Sequence, residues 1–196
     1  MATHDLSTPS ANRERADAAR NRLKVLAAAE TLFAERGAST VTMDDIAKAA
    51  GVGRGTLYRR YPDRAAIALA LLDEHERRLQ EQLLSGPPPL GPGTSPAERL
   101  AAFYAAMVEL LARHVHLALG AEVGRSRFSA GAYGFWRAHI LTLIRDAGHK
   151  DPDPLADILL APLAPEVFQH QTQELGLDKE RITTALADLA HRVLGQ

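Results

Sequence analysis

The chain has 196 residues, 46% hydrophobic and 24% charged, with no cysteine; this composition suits a packed globular core and excludes disulfides and thiolate metal sites. The net charge of −1 hides an asymmetry, because residues 1–64 carry eleven Lys/Arg against eight Asp/Glu (net +3) and residues 65–196 twelve against sixteen (net −4). A basic module ahead of an acidic body is what a protein meeting a polyanion at one end would show.

In chain order, the first twenty residues are polar and charged, with no apolar stretch that would serve as a signal peptide. No later run approaches the roughly eighteen apolar residues of a membrane span. A cytoplasmic protein with no membrane association is therefore expected, with residues 1–19 as a flexible arm. Arg13, Arg15, Arg20 and Arg22 lie in and just beyond that arm, within reach of a DNA minor groove or backbone; the alternative is a solvated tail.

Nearly every later segment has helical periodicity. Val25, Leu26, Ala29, Leu32 and Phe33 recur at three- and four-residue spacing, and Gly37 closes that helix after Arg36. Thr42 reads as the N-cap of a short second helix with Asp45 at its third position, and Gly51 as its left-handed end. A third helix runs from about Arg54 to Arg60 and stops before Pro62; Asp63 caps a longer fourth from about Arg64 to Leu84. Ser85 to Pro96 holds five prolines and three glycines and is a loop, ending in the capping box Ser95-Pro96-Ala97-Glu98. Helical patterns return at about 97–114, 129–147, 154–174 and 178–194, weakened in the middle by Gly120, Gly124, Gly131 and Gly134. Pro165 should kink or interrupt the penultimate helix after Ala161. No strand alternation or repeat is present, so the fold class is all-α.

Two short helices crossing steeply need a small residue at the crossing, a glycine in the turn and an aliphatic wedge on the second helix. Ala47, Gly51 and Leu57 supply these at spacings of four and six, the helix-turn-helix arrangement. Around that wedge, A-A-A-E-T-L-F-A-E-R-G (27–37), V-T-M-D-D-I-A-K-A-A-G-V (41–52) and G-T-L-Y-R-R-Y-P-D-R (55–64) resemble the DNA-binding domain of TetR-family regulators. Two positions depart from that pattern. Gly53 stands where the family usually has Ser or a similar polar residue, and Asp63 where it usually has Ser or Asn.

The resemblance implies an amino-terminal three-helix helix-turn-helix domain (20–66) and a larger ligand-binding and dimerisation bundle (67–196). It places the helix 54–60 in the major groove. Arg54, Thr56 and Arg59 are then candidates for reading base edges, and Gly55 permits close approach of the backbone. Arg54 ranks first, since a guanidinium can bond guanine O6 and N7 together. Tyr58, Arg60, Thr42 and Arg64 are candidates for phosphate contacts, which fix register without reading sequence. The resemblance further implies a homodimer on a palindromic operator, its recognition helices about 34–36 Å apart. The apolar stripes Leu155, Ile158, Leu159, Leu163 and Ile182, Leu186, Leu189, Val193 are assigned to the partner-facing bundle, with an intrachain core as the alternative.

A sensor pocket needs apolar walls and a few directed polar groups. Phe103, Met107, Leu111 and His114, then Tyr133, Trp136 and His139, share helix faces in the central region and are the candidate contacts for a small, largely apolar effector; plain core is the alternative for each. His114 and His116 are two apart, and His139, His149, His170 and His191 have no helical-spacing partner, so no metal is expected. No phosphate-binding glycine motif or nucleophile elbow occurs, and no cofactor and no enzyme activity are expected. The sequence thus predicts a ligand-released repressor of transcription. Two rivals stay open: a DNA-binding protein with no ligand, and a small helical enzyme retaining a DNA-binding module.

Overall fold

The computed structural model describes residues 9–37, 39–121 and 131–195, and every regular element among them is a helix, with no strand. Helix α1 (Pro9–Arg36) starts well inside the stretch expected to be a flexible arm. The reason is local: proline is pre-organised for the first helical position, and the alanine- and arginine-rich run that follows has high helix propensity. The side chains of Arg13 and Arg15 lie outside the described residues, while Arg20 pairs with Asp17 one turn earlier.

The chain divides into two units, residues 1–71 and 72–196. The division lies within helix α4 (Arg64–Ser85), a few residues beyond the expected boundary at 66/67. In the first unit, α1, α2 (Met43–Ala50), α3 (Arg54–Arg60) and the start of α4 bury one core. Leu26 and Ala29 of α1, Ile46 and Ala47 of α2, Leu57 of α3 and Ile67 of α4 are nearly inaccessible. Burying each of the larger of these stabilises by about 1.5–3 kcal/mol relative to exposure. The wedge forms as the spacing requires. Gly51 sits at φ 63°, and its N–H donates to the carbonyls of Ala47 and Lys48. A β-carbon there would force an L residue into the left-handed region.

The second unit is built around α5 (Pro96–Ala121), packed most extensively against α9 (Lys179–Leu194) and also against α6 (Gly131–Asp146). Phe103, Tyr104, Leu100, Ile140, Leu143, Ile144 and Leu159 are fully buried at its centre. The Tyr104 hydroxyl donates to the Leu159 carbonyl at 2.8 Å, and burial raises its pKa above the ordinary tyrosine range. Helix α6 is clamped to α7 (Pro152–Leu160) by Arg137, which donates to Asp153 and Asp157, while the Tyr133 hydroxyl donates to Asp157 at 2.9 Å. Those bonds, the Arg137 guanidinium first, hold the Asp157 carboxyl below its usual range.

The segment 154–174, expected as one helix with a kink, is broken more thoroughly than that. α7 ends at Leu160, a 3₁₀ turn covers 161–163, a short α8 (Pro165–Gln169) follows, and 170–174 is a π turn. Pro162 and Pro165 both lack an N–H, and Ala164 is driven to ψ 130° by the proline after it. Gly124 lies outside the described residues.

Candidate nucleic-acid interface

The N-terminus of α2 is closed by a capping box. The Asp45 amide donates to the Thr42 hydroxyl oxygen (3.1 Å), and the Thr42 amide and hydroxyl both donate to Asp45 Oδ2 (3.0 and 2.8 Å). These bonds lower the Asp45 pKa and commit the Thr42 hydroxyl proton within the domain. Gly53 caps α3 without any side-chain bond, as its missing hydroxyl dictates.

On α3 only Leu57 is buried; Arg54, Gly55, Thr56, Tyr58, Arg59 and Arg60 all face solvent. The helix therefore offers one continuous polar, basic face, anchored from behind by a single leucine. A β-carbon on Gly55 would meet nothing within 4 Å, so nothing inside the domain demands glycine there. Arg59 donates to the Gly55 carbonyl and Arg60 to the Ala18 carbonyl of α1, both at 3.3 Å. Arg54 pairs through Nη2 with the Asp44 carboxylate on α2.

Arg64 differs from the others. Its guanidinium donates to the carbonyls of Ser39 (2.6 Å) and Val41 (2.9 Å), tying the α1–α2 connection to the first turn of α4. That is a structural employment for a residue expected at a phosphate. Asp63 accepts from the Ala66 amide at 2.9 Å and so caps α4 as expected. Beside α3 lies an open groove of about 480 Å³ against α1, whose walls include Arg22, Val25, Thr56, Arg59 and Tyr61. The Tyr61 hydroxyl is buried with no hydrogen-bond partner.

In the second unit, five of the seven expected effector contacts converge. Met107, Leu111, His114, Tyr133 and Trp136 line one cavity, joined by Glu76 and Leu160, which the sequence pattern did not single out, and by Pro165, expected only as a helix break. The cavity holds about 50 Å³. That is room for a few waters, against roughly 300–1,000 Å³ for a site taking a drug-sized molecule. Phe103 and His139 pack behind it, ring to ring at 5.4 Å, with Phe103 also 5.8 Å from Trp136. Burial and then the nearby Arg99 charge hold the His139 pKa down at about 4, and its Nε2 is buried without a partner. His114 meets His75 of α4, Nε2 to Nδ1, at 2.7 Å. No spacing rule finds that pair, because 39 residues separate it. Among the described residues no three histidine or carboxylate side chains gather as a metal site, and no helix is long and apolar enough to cross a membrane.

Most of the residues in the stripes assigned to a partner subunit pack against the chain's own core. Leu159, Leu163, Ile182 and Leu186 are buried in the chain's own core, and Leu155, Leu189 and Val193 are half-buried against it. Only Ile158 stands out, 64% exposed. The α9 stripe packs against α5, the helix it contacts most extensively.

The family of bacterial regulatory proteins named for TetR matches residues 25–71. Residues 25–71, the helix-turn-helix and its flanks, are therefore similar to the amino-terminal region of that family. An uncharacterized HTH-type transcriptional regulator of Mycobacterium tuberculosis is 39% identical over 77 residues, which are 39% of this chain and 37% of that protein. The match to this curated relative therefore spans little more than a third of its length. The fold likeness extends further. A transcriptional regulator from Rhodococcus sp. Rha1 superposes with a TM-score of 0.62 at 16% identity, over 89% of this chain and 96% of that one. A chain from Saccharomonospora viridis in complex with choline superposes with a TM-score of 0.58 at 23% identity, over 86% and 94%. The TetR-family motif accordingly lies in the first unit, and the second shares the helical layout alone.

Proposed function

We propose that this chain is a transcriptional repressor that binds a palindromic DNA operator as a homodimer and releases it when a small, largely apolar effector enters the second unit. The observation that carries the DNA reading is α3 itself: a seven-residue helix with one buried leucine and three exposed arginines, matching the element that a major groove admits. Arg54 and Thr56 read base edges, with Arg59 beside them. Tyr58, Arg60 and the α2 terminus at Thr42 face phosphates, and Arg64 supports the site from within. Arg54→Ala should cost about 1–3 kcal/mol of specific binding and relax preference at one base position, whereas Arg60→Ala should weaken binding to every sequence and flatten its salt dependence. Titration of matched and scrambled duplexes over a salt series checks both, and equal losses on the two duplexes for Arg54→Ala would remove its assigned role.

For the dimer, the support is a groove of about 360 Å³ along α9, floored by Ile182, Leu186 and Leu189 and flanked by Pro162, with the family's habit of pairing through its last helices. A second copy is its occupant. Light scattering that gave a monomer at every concentration used for operator binding would contradict this.

For the effector, the support is the convergence of Met107, Leu111, His114, Tyr133 and Trp136 on one cavity, and a transcriptional regulator of similar fold solved in complex with choline. At about 50 Å³ the cavity is closed to a molecule of effector size, so an effector must displace side chains and hold a second conformation. A ligand shifts such a balance only by binding the two conformations unequally; coupling of about 1–3 kcal/mol changes operator affinity roughly 5–150-fold. Helix α4 contributes residues to both units and is the element through which that shift would pass. The small volume equally supports a second reading, a regulator in the cytoplasm controlled by abundance or a protein partner with no small ligand. Footprinting an operator complex against a panel of apolar and cationic small molecules separates the two: release by any of them supports induction, and full occupancy with all of them supports the second reading.

A further inference from the structure

One carboxylate, that of Asp44, stands beside the exposed face of α3 and is paired with Arg54. Asp44 occupies the first turn of α2, where the positive end of the helix favours it, and its Oδ2 accepts from Nη2 of Arg54 at the first position of α3. The two residues lie on opposite sides of the Gly51–Gly53 turn, ten apart in sequence. Both are well exposed, Arg54 71% and Asp44 46% at the side chain, so neither is present to pack the core. Arg54 is also badly placed for its own helix, a cation at a positive end. The other α3 arginines, Arg59 and Arg60, bond neutral main-chain carbonyls instead. The pairing of Arg54 with a carboxylate thus stands apart on that face.

We propose that Asp44 is a specificity-determining positioning residue, holding the Arg54 guanidinium in the orientation that reads a guanine and penalising duplexes that leave Arg54 without one. The inference rests on the reading of Arg54 as a base contact. A guanidinium has five N–H donors; Asp44 takes one and leaves an edge free for the paired acceptors O6 and N7. An arginine already held by a neighbour loses less freedom on contact, which is preorganisation. A carboxylate aimed at a groove also repels phosphate, so any sequence that fails to engage Arg54 pays for the charge. Two opposite signatures follow on removing Asp44. Discrimination falls, and non-specific affinity rises.

The test uses full-length protein and a duplex recovered by selection from a random-sequence library, with each single-base-pair variant of it and one scrambled duplex. Asp44→Ala should lower discrimination at the base pair read by Arg54 by about three- to tenfold, raise affinity for the scrambled duplex, and leave the other positions unaltered. Asp44→Glu should recover part of the discrimination. In an Arg54→Ala background, Asp44→Ala should change no discrimination at all. Circular dichroism and thermal unfolding keep folding separate from recognition. If Arg54→Ala relaxes one position and Asp44→Ala relaxes none, or raises affinity for all duplexes equally, Asp44 only competes with DNA for Arg54 and the positioning role is overturned. If Arg54→Ala itself relaxes no position, the base-reading assignment falls first and this inference falls with it.

Discussion

The two units put the same building element, the helix, to opposite uses. In the first, α3 keeps one residue inside and turns six outward, so its chemistry lies on the surface where a rigid polyanion of fixed groove geometry can meet it. In the second, α5 and α6 turn Phe103, Tyr104, Trp136 and Ile140 inward, and with Glu76, Leu160 and Pro165 they wall a cavity of about 50 Å³. A surface reader is constrained by its partner's shape, and its residue pattern is correspondingly legible. An interior that accommodates a small molecule is constrained only by volume and polarity, which many side-chain sets satisfy.

That contrast can be attacked at its heaviest point first. If the second unit depends on a close-packed interior, Phe103→Ala should cost about 3–5 kcal/mol of stability, read as a lower denaturation midpoint in urea; a loss below about 1 kcal/mol would mean that the interior is loosely packed and already adaptable. A smaller effect concerns buried polarity. The folded His139 pKa of about 4 lies below its ordinary 6.5, so protons favour the unfolded chain: the neutral ring is accommodated in full above about pH 6.5, and stability is lost as pH falls from there toward 4. The loss attributable to this group is up to about 3 kcal/mol. His139→Leu should flatten the stability profile across that window, and an unchanged profile would assign the acid sensitivity elsewhere.

The first unit yields the finer tests, because its cost of change lies in recognition more than in packing. Tyr61→Phe removes a buried hydroxyl that has no hydrogen-bond partner, and it should be neutral or stabilise by up to about 1 kcal/mol; a clear drop in melting temperature would show that the hydroxyl is satisfied in solution. Gly53→Ser supplies the absent cap of α3. A β-carbon there meets nothing closer than the Thr56 hydroxyl at 3.9 Å, so a gain of a few tenths of a kcal/mol in thermal stability is expected. A loss would indicate that the N-terminus of α3 needs glycine's backbone freedom.

The sequence announced the first unit through features that act over a few residues. Thr42 and Asp45 make a capping box, Gly51 a left-handed end, and Asp63 a cap, each because the bonds involved join neighbours in the chain. The break at Pro165 was legible for the same reason, although Pro162 widened it. Five of the seven residues that periodicity assigned to a pocket do line one cavity, since residues on one helix face travel together. What it left open was which way a stripe turns. Ile158 and Leu159 are adjacent and equally apolar, yet one is 64% exposed and the other 1%.

By itself, then, the sequence determined the short helices of the first unit, their caps and the wedge of Ala47, Gly51 and Leu57, all of which follow from backbone geometry within a few turns. Only the tertiary structure decided that Arg64 is spent on the carbonyls of Ser39 and Val41, that Arg54 meets Asp44, that His75 meets His114, and how much space the second unit encloses. Those outcomes depend on the spacing and rotation of helices against one another. Packing the whole core sets these, and no local pattern encodes them.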